Sequence, residues 1–318
     1  MPAEKEIKLF GKQRELKRIS DMFLSGRMPH GIMLTGAAGL GKRTLARYLA
    51  MLMMCENPDG DIPCGQCISC RKILLGEHPD VIFAKGEKYT ADRVRDCVKQ
   101  ASYYPNDGDL RIFIYENCDE MNDVQQNILL KSIEEPSPYN RYIFTCENTS
   151  VILQTILSRL VCIPMSDMSA EDCRECLLYC GISAENADNA VNRLGTNPGR
   201  IMQIIADEKQ IKIYDSADRI IRAFAKLSEY DAAKEFSSFS DREDLFSLAA
   251  VLYEKVSAAA TPKPSEDEAV RMLREKLALK RLYGLSEKLS EFLLLDGTNI
   301  NVKLIQASWN AQLFEILL

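Results

Sequence analysis

The sequence predicts an α/β domain built on a parallel sheet, followed by a region that is entirely helical. Five short apolar runs alternate with helical patterns between residues 31 and about 165. These runs are GIMLT (31–35), DVIFA (80–84), LRIFIY (110–115), RYIFTCE (141–147) and LVCIPM (160–165). Apolar strands that alternate with helices are typical of parallel sheets covered by helices on both faces. After Pro164 the strand patterns cease.

Two helices of the α/β domain can be placed from their residue spacing. Residues 43–54 carry Leu, Ala and Met at helical intervals, directly after a glycine-rich loop. Residues 122–135 begin with Asn122, a favourable N-cap residue, and Gln125 follows three positions later, as in a capping box. This second helix is expected to end before Pro136.

The remainder of the chain is predicted to form two helical domains. Residues 169–207 indicate three short helices, interrupted at Gly181 and at TNPG (196–199). From residue 209 the pattern is helical to the end. The last helix, at about 301–318, has its apolar residues on one stripe, namely Val302, Ile305, Trp309, Leu313 and Ile316. We therefore predict domains at 1–166, 167–208 and 209–318.

Composition narrows the class of protein. The 318 residues are 46% hydrophobic, which supports packed cores, and the net charge of −6 argues against a stand-alone DNA-binding protein. No apolar run reaches about 18 residues, and MPAEKEIKLF (1–10) has no secretory signal pattern. We expect a cytoplasmic protein without a membrane span, so its eleven cysteines are expected to be thiols or metal ligands.

A glycine-rich loop follows the first predicted strand and precedes a helix. This is the context in which backbone N–H groups and a helix N-terminus bind phosphate. The loop GAAGLGK supplies the candidate residues Gly36, Gly39, Gly41 and Lys42. Arg43 stands where a Mg²⁺-binding Ser or Thr is usual, and Thr44 comes one residue late, about 100° further around the helix. A glycine turn without any ligand is the alternative.

The acid and base of a nucleotide hydrolase are also altered. A P-loop ATPase needs an acid for the metal at a strand end, with a group nearby that positions or activates water. Here the strand LRIFIY is followed by Glu116, which could hold a metal through water, and by Asn117, whose amide accepts no proton. Nucleotide hydrolysis is therefore not expected, and binding of ATP or ADP stays open.

Four cysteines indicate a metal site. Cys55, Cys64, Cys67 and Cys70 have the spacing C-x8-C-x2-C-x2-C, which suits tetrahedral zinc with a structural role. The alternatives are chance clustering and a redox dithiol. A zinc module that binds nucleic acid is disfavoured, because DGDIP within the cluster and EHPD after it are acidic.

Taken together, the motifs resemble the AAA+ subunits of bacterial clamp loaders. PHGIMLTGAAGLGK, the four-cysteine insertion, GEHPDV, NILLKSIEEPS, TILSRL and NPGR follow one another in that family's order, across about residues 8–205. The resemblance continues more weakly through the C-terminal helices, which look like the family's collar domain. Among the subunit types the pattern is most similar to delta prime. In the gamma/tau ATPase type, intact Lys-Ser/Thr and Asp-Glu pairs replace Lys42-Arg43 and Glu116-Asn117.

The resemblance implies an AAA+ domain, a helical lid and an oligomerising collar in a hetero-pentameric ring with gamma/tau and delta subunits. That ring loads the sliding clamp on primed DNA, as part of a DNA-directed DNA polymerase holoenzyme at the nucleoid-associated replisome. The resemblance also implies that Arg159 of Ser158-Arg159-Leu160 is an arginine finger for a neighbour's ATP, and that Arg200 occupies a sensor position. A non-hydrolysing stator is the expected role, and an active gamma/tau-type ATPase is the alternative.

Overall fold

The computed structural model describes residues 7–84, 88–262, 265–296 and 301–318. The chain divides into two compact units: Met1–Cys176 with Thr196–Gly199, and Leu177–Gly195 with Arg200–Leu318. The predicted domain boundaries at residues 166 and 208 remain a prediction. The N-terminal stretch on which a secretory signal was excluded lies mostly outside the described residues.

The first unit is built on a five-stranded parallel sheet, as predicted. The strands are β1 (Gly31–Thr35), β2 (Val81–Phe83), β3 (Arg111–Tyr115), β4 (Asn140–Cys146) and β5 (Val161–Pro164). Their order is β2-β3-β4-β1-β5, and every neighbouring pair is parallel. Because β1, β3 and β4 are adjacent in this order or separated by one strand, their carboxyl ends lie along one edge of the sheet. Ligands of open α/β sheets bind at this edge.

Both faces of the sheet are covered by apolar side chains. In β1, Ile32 and Leu34 belong to one hydrophobic cluster, whereas Met33 between them belongs to the other. Successive side chains of a strand point to opposite faces, so this division places a core on each side of the sheet. The helices of the unit are α1 (Gln13–Leu24), α2 (Lys42–Met54), α3 (Ile68–Leu75), α4 (Ala91–Gln100), α5 (Asp123–Glu134) and α6 (Gln154–Leu157), and α7 (Ala170–Tyr179) follows.

Helix α5 begins as the sequence predicts. The Asn122 side chain accepts a hydrogen bond from the Gln125 backbone, and the Gln125 side chain accepts one from the Asn122 backbone, which completes the capping box. Both contacts measure 3.0 Å. The reciprocal bonds satisfy N–H groups that have no partner within the helix, and so fix the first turn.

The second unit is helical throughout its described part. Its helices are α8 (Ala184–Leu194), the body of α9 (Pro198–Ala206), α10 (Glu208–Lys226), α11 (Glu229–Ser237), α12 (Arg242–Ala260), α13 (Glu268–Lys276), α14 (Leu279–Leu293) and α15 (Val302–Leu317). The predicted stripe of α15 is confirmed at its centre, where Ile305, Trp309 and Leu313 are buried in one core. Among the described residues, no helix combines the length and the apolar character needed to span a bilayer.

Candidate functional site

The glycine-rich segment forms a phosphate-loop turn between β1 and α2. Gly36, Gly39 and Gly41 all have positive φ angles, of 146°, 81° and 83°. At Gly36 a Cβ atom would lie 2.6 Å from the carbonyl oxygen of Met165, so only glycine fits without displacing the backbone. Helix α2 starts at Lys42 directly after this turn. The predicted strand–loop–helix arrangement is therefore present.

Lys42 lies inside the loop rather than in solvent. Its side chain is 4% exposed, and Nζ donates hydrogen bonds of 2.7 Å to the carbonyl oxygens of Gly36 and Ala37. The carboxylate of Glu147, which directly follows β4, is 3.6 Å from the same nitrogen. The charge of Lys42 is thus compensated by the protein itself, from two adjacent strand ends.

Arg43 makes an ion pair with Glu116 across the edge of the sheet. Nη2 of Arg43 is 2.5 Å from Oε2 of Glu116, and the side chains are 67% and 8% exposed, respectively. The hydrogen bond to Glu116 raises the pKa of the arginine. Glu116 is the acid predicted to hold a metal, and here it binds a guanidinium. Thr44, one residue further along α2, is half-buried.

The loop after β3 is tied to the neighbouring strand. Asn117 has φ of 50°, a left-handed conformation that Asn tolerates better than most residues. Its backbone N–H donates to the Thr145 hydroxyl at 2.8 Å, and its amide donates to the carboxylate of Glu120. Asp119 accepts from the backbone N–H groups of Glu147 and Asn148. Asn117 and Asp119 therefore hold the loop in shape.

The segment Thr196–Gly199 packs on the outside of the phosphate loop. Asn197 Nδ2 donates to the Ala38 carbonyl at 2.7 Å, and the Gly199 N–H donates to the Gly39 carbonyl at 3.2 Å. A Cβ atom at Gly199 would lie 2.4 Å from Gly39 Cα, so the two glycine backbones touch. Both hydrogen bonds are thus accepted by carbonyl oxygens of the loop.

Arg159 has an exposed side chain on a fixed backbone. It follows α6, and its neighbours Ile156 and Leu160 are both buried. A Cβ atom at Gly31 would lie 2.3 Å from Leu160 Cδ2, which shows how closely this residue packs on β1. Nη2 of Arg159 is 2.9 Å from Glu134 at the end of α5.

Arg200, the other arginine suggested by the resemblance, is held within the second unit. It forms a close ion pair with the carboxylate of Glu254 on α12, and it donates to the Tyr214 hydroxyl on α10 at 2.8 Å. The hydrogen bonds to Glu254 raise its pKa. These contacts hold Arg200 within its own unit. The sensor role of Arg200 stays a prediction.

The four predicted cysteines form a cluster that extends from the end of α2 to the first turn of α3. One sulfur from each of Cys55, Cys64, Cys67 and Cys70 lies within 4.8 Å of the others. A tetrahedral site with Zn–S bonds of about 2.3 Å has S···S separations of about 3.8 Å, so the arrangement can hold such an ion after small side-chain shifts.

Backbone hydrogen bonds to three of these sulfurs favour negative charge, whereas burial raises the pKa of the Cys55 and Cys70 thiols. The N–H of Cys64 donates to the Cys55 sulfur at 3.3 Å, that of Cys67 to Cys64 at 3.3 Å, and that of Cys70 to Cys67 at 3.4 Å. Backbone bonds from Gln66 and Cys67 lower the pKa of Cys64 to about 6. Thiolates are the form that binds metal, so donor type, separation and hydrogen bonding all fit a metal ion.

Two features of this unit were missed by reasoning from sequence. Gln126 on α5 is 1% exposed, and its amide bonds to the Val151 carbonyl and the Leu153 N–H, both at 2.9 Å, which anchors the segment leading into α6. Asp80 is fully buried and pairs with Arg111 at 2.9 Å. An interior Gln or Asp cannot be recognised by periodicity, although Asp80 lies in the GEHPDV motif.

Comparison with known proteins places the chain in a family. Residues 11–169, half of the chain, match the family model described as DNA polymerase III, delta subunit. A delta′ subunit of Pseudomonas aeruginosa is 35% identical over 144 residues, which are 43% of this chain and 44% of that protein. A gamma subunit of Buchnera aphidicola is 29% identical over 172 residues, which are 54% and 48% of the two chains. The match thus spans less than half of either relative.

Relatives of the tau type and a solved structure extend the comparison. The tau subunit of Escherichia coli is 27% identical over 165 residues, which are 52% of this chain and 26% of that protein. A gamma subunit-related protein of Thermotoga maritima superposes with a TM-score of 0.47 and 16% identity, over 95% of this chain and 99% of that one. A structural likeness of this degree says nothing about activity. The family match establishes that the chain belongs to the clamp-loader subunits of the DNA polymerase III delta family.

Proposed function

We propose that this chain is a non-hydrolysing, stator-like subunit of the DNA polymerase III clamp loader, and that it supplies Arg159 to a neighbour's ATP. The observation that carries the proposal is the Arg43–Glu116 ion pair at 2.5 Å. A guanidinium thereby occupies the acid that a P-loop enzyme uses for Mg²⁺.

The ion pair opposes metal-dependent hydrolysis in two ways. Arg43 offers no ligand to a cation, and its positive charge repels one. Glu116 can take a metal only if it first releases Arg43, and the buried carboxylate would pass through an unpaired state that is costly. An enzyme that cannot hold Mg²⁺ loses the main stabilisation of charge on the transferred phosphoryl group.

Asn117, the residue after Glu116, also argues against hydrolysis. Asn117 cannot act as a general base, and its amide donates to Glu120 at 3.1 Å. General-base help is worth about 10²- to 10⁴-fold in rate, and it is missing here.

The test is nucleotide binding and steady-state hydrolysis by the purified chain, with and without Mg²⁺. We expect no Mg²⁺-dependent turnover from the native chain and partial recovery of Mg²⁺-dependent nucleotide binding in the double variant Arg43→Thr/Asn117→Glu. Asp123→Asn, an exposed change on α5, is the control. Turnover by the native chain that Lys42→Ala abolishes would refute the stator role.

The exposed Arg159 supports the proposed action in trans. A guanidinium recognises phosphate through paired hydrogen bonds, and an arginine finger is worth about 10³- to 10⁵-fold in rate. In a reconstituted clamp loader, Arg159→Ala is expected to slow the ATP hydrolysis stimulated by the clamp. Arg141→Ala, at a half-buried arginine of β4, serves as the control. An unchanged rate in Arg159→Ala would remove the finger from the proposal.

We propose that the four-cysteine cluster binds structural zinc. The metal would join the end of α2 to the first turn of α3 and hold the intervening loop of residues 55–67. Metal analysis of the purified chain is expected to give about one zinc per chain. Cys67→Ser is expected to release it, whereas Cys180→Ser, an exposed cysteine outside the cluster, is not.

The proposed partners are gamma/tau and delta subunits in a hetero-pentameric ring, with the sliding clamp and primed DNA contacted through the assembly. The proposed location is the cytoplasm, at the nucleoid-associated replisome. Family membership supports both proposals. Size measurement of the chain mixed with gamma and delta subunits would test the first, and the expected product is a complex of five chains.

An active ATPase of the gamma/tau type is the second candidate. The loop itself favours it, because all three glycines have the positive φ angles of a phosphate loop and Lys42 is in place. The two candidates differ in one result: the gamma/tau type predicts Mg²⁺-dependent turnover by the native chain.

A further inference from the structure

We propose that Glu134 is a positioning residue for the arginine finger, which holds the Arg159 guanidinium ready for a neighbour's phosphate. This inference rests on the proposed role of Arg159 in trans. Oε1 of Glu134 is 2.9 Å from Nη2 of Arg159. Glu134 is the last residue of α5, whereas Arg159 follows α6, so the two side chains come from different parts of the unit.

The guanidinium is held from two sides. Nη1 donates to the Thr155 carbonyl at 2.8 Å and to the Ser158 hydroxyl at 3.2 Å, and both acceptors lie within the four residues before Arg159. Nη2 faces Glu134. A guanidinium has more N–H donors than these three contacts use, so an arginine held in this way can still bind a phosphate oxygen.

The segments that carry Glu134 and Arg159 are connected by a buried side chain. The Gln126 amide on α5 bonds to the Val151 carbonyl and the Leu153 N–H, just before α6. The same side chain bonds to the Met121 carbonyl at 3.1 Å. Helices α5 and α6 are therefore locked together by a buried amide, and Glu134 and Arg159 extend from one fixed support. Fixing a catalytic group before the substrate arrives lowers the entropy lost in the transition state.

Exposure makes the contact reversible. The Arg159 and Glu134 side chains are 37% and 41% exposed. Ion pairs with this access to water are weak and sensitive to salt. A triphosphate carries more negative charge than one carboxylate, so it can replace the Glu134 carboxylate as partner of the guanidinium, or share the guanidinium with it, without leaving a buried charge unpaired. Glu134 thus orients the finger without retaining it.

The test uses a reconstituted clamp loader in which only the subunit adjoining Arg159 has an intact phosphate loop. Glu134→Gln keeps the shape and removes the charge, and Glu135→Gln, its exposed neighbour, is the matched control. We expect Glu134→Gln to lower kcat by about two- to fivefold with little change in KM, since an exposed pair contributes little energy. Glu135→Gln should leave both parameters unchanged.

A double variant separates a positioning role from a general structural one. If Glu134 acts through the finger, adding Glu134→Gln to Arg159→Ala produces no further loss. The loss caused by Glu134→Gln alone is also expected to shrink as salt rises from about 0.05 to 0.5 M.

The outcomes for the two proposals are distinct. An unchanged rate in Arg159→Ala refutes the finger itself. A slow Arg159→Ala together with an unchanged or faster Glu134→Gln leaves the finger standing and refutes the positioning role. A further loss in the double variant also refutes it, because Glu134 would then act elsewhere.

Discussion

Two arginine–glutamate pairs of the first unit differ in the solvent exposure of the glutamate side chain. In the Arg43–Glu116 pair the carboxylate side chain is 8% exposed, and in the Arg159–Glu134 pair it is 41% exposed. A buried carboxylate cannot lose its partner without a cost, whereas an exposed one is stabilised by solvent. In our proposals, the same pair of residue types therefore has two consequences: it closes one site to a cation and leaves an arginine available in the other.

A third pair extends the comparison to full burial. Arg111 and Asp80 are 5% and 0% exposed, and Arg111 also donates to the Gln100 carbonyl at 2.8 Å. The three pairs form a series in which the acid passes from buried to exposed. If burial of the acid decides how tightly an arginine is held, the cost of removing each arginine should follow the same order.

The largest effect is expected for Arg111→Met. This change leaves the Asp80 carboxylate buried without its guanidinium, which costs about 3–5 kcal/mol in the free energy of unfolding. Amide hydrogen exchange of β3 is the suitable measurement, because the single tryptophan, Trp309, lies in the second unit. Arg141→Met on the adjacent strand is the control, and an equal effect there would contradict the role of the acid.

Acid pH should weaken the same pair. Burial tends to raise the pKa of Asp80, but hydrogen bonds from the Asp107 and Asn106 backbones and from Arg111 outweigh it and lower the pKa below 3.8. A carboxyl group with a lowered folded-state pKa stabilises the fold above its unfolded pKa, and this contribution is lost as pH falls through the folded value.

The pH prediction can be measured by acid unfolding. Stability that depends on Asp80 should be constant above about pH 5 and decline below about pH 4. Asp80→Asn is expected to be less stable than the native chain at neutral pH and to lose less on acidification. Parallel curves for the two proteins would show that other groups control the acid transition.

A smaller effect is expected for Arg43→Ala. The variant leaves the buried Glu116 carboxylate without its ion-pair partner, at a cost of about 1–3 kcal/mol. Hydrogen exchange of the β3 amides again reports the change. The double variant Arg43→Ala/Glu116→Gln should recover most of the loss, since it removes the unpaired charge. Without that recovery, the arginine would stabilise the fold through packing.

The smallest effect on stability is expected for Arg159→Ala. Both members of its pair are exposed, so the free energy of unfolding should change by less than about 1 kcal/mol. The unfolding measurement on the isolated chain contrasts with the kinetic test in the assembly, where the loss is expected to be large. A strongly destabilised Arg159→Ala would place this residue with the structural arginines.

Much of the first unit follows from sequence because its signals are local. All five strands, the start of α5 and the cysteine cluster were predicted from apolar runs, a capping pair and cysteine spacing. Helix α1 was not predicted. The pairing of Arg43 with Glu116 was also not predicted, because the two residues are distant in sequence and meet only when β1 and β3 enter one sheet.

The sequence allowed candidate site residues to be selected, but it did not reveal the contacts between them. Gly36, Lys42 and Arg159 could be selected by motif. Gln126 lies outside the motifs that carry the resemblance, and Glu134 lies within NILLKSIEEPS, which by itself assigns it no role. The contacts from which we infer their roles depend on the packing of α5 beside α6, which sequence spacing does not reveal. A buried Gln is recognised as a structural contact only when its amide is seen to bond with the carbonyl and N–H of another segment.

The sheet order has a consequence for how the chain assembles. β1 pairs Gly31 with Tyr142 of β4 and Ile32 with Val161 of β5, so the strand that carries the phosphate loop meets its partners only after more than a hundred further residues are made. The four cysteines of the cluster, by contrast, all lie within residues 55–70. Contacts between distant residues form slowly because long loops must close. During synthesis, the four cysteines can therefore approach one another before the strand that carries the phosphate loop has met its partners.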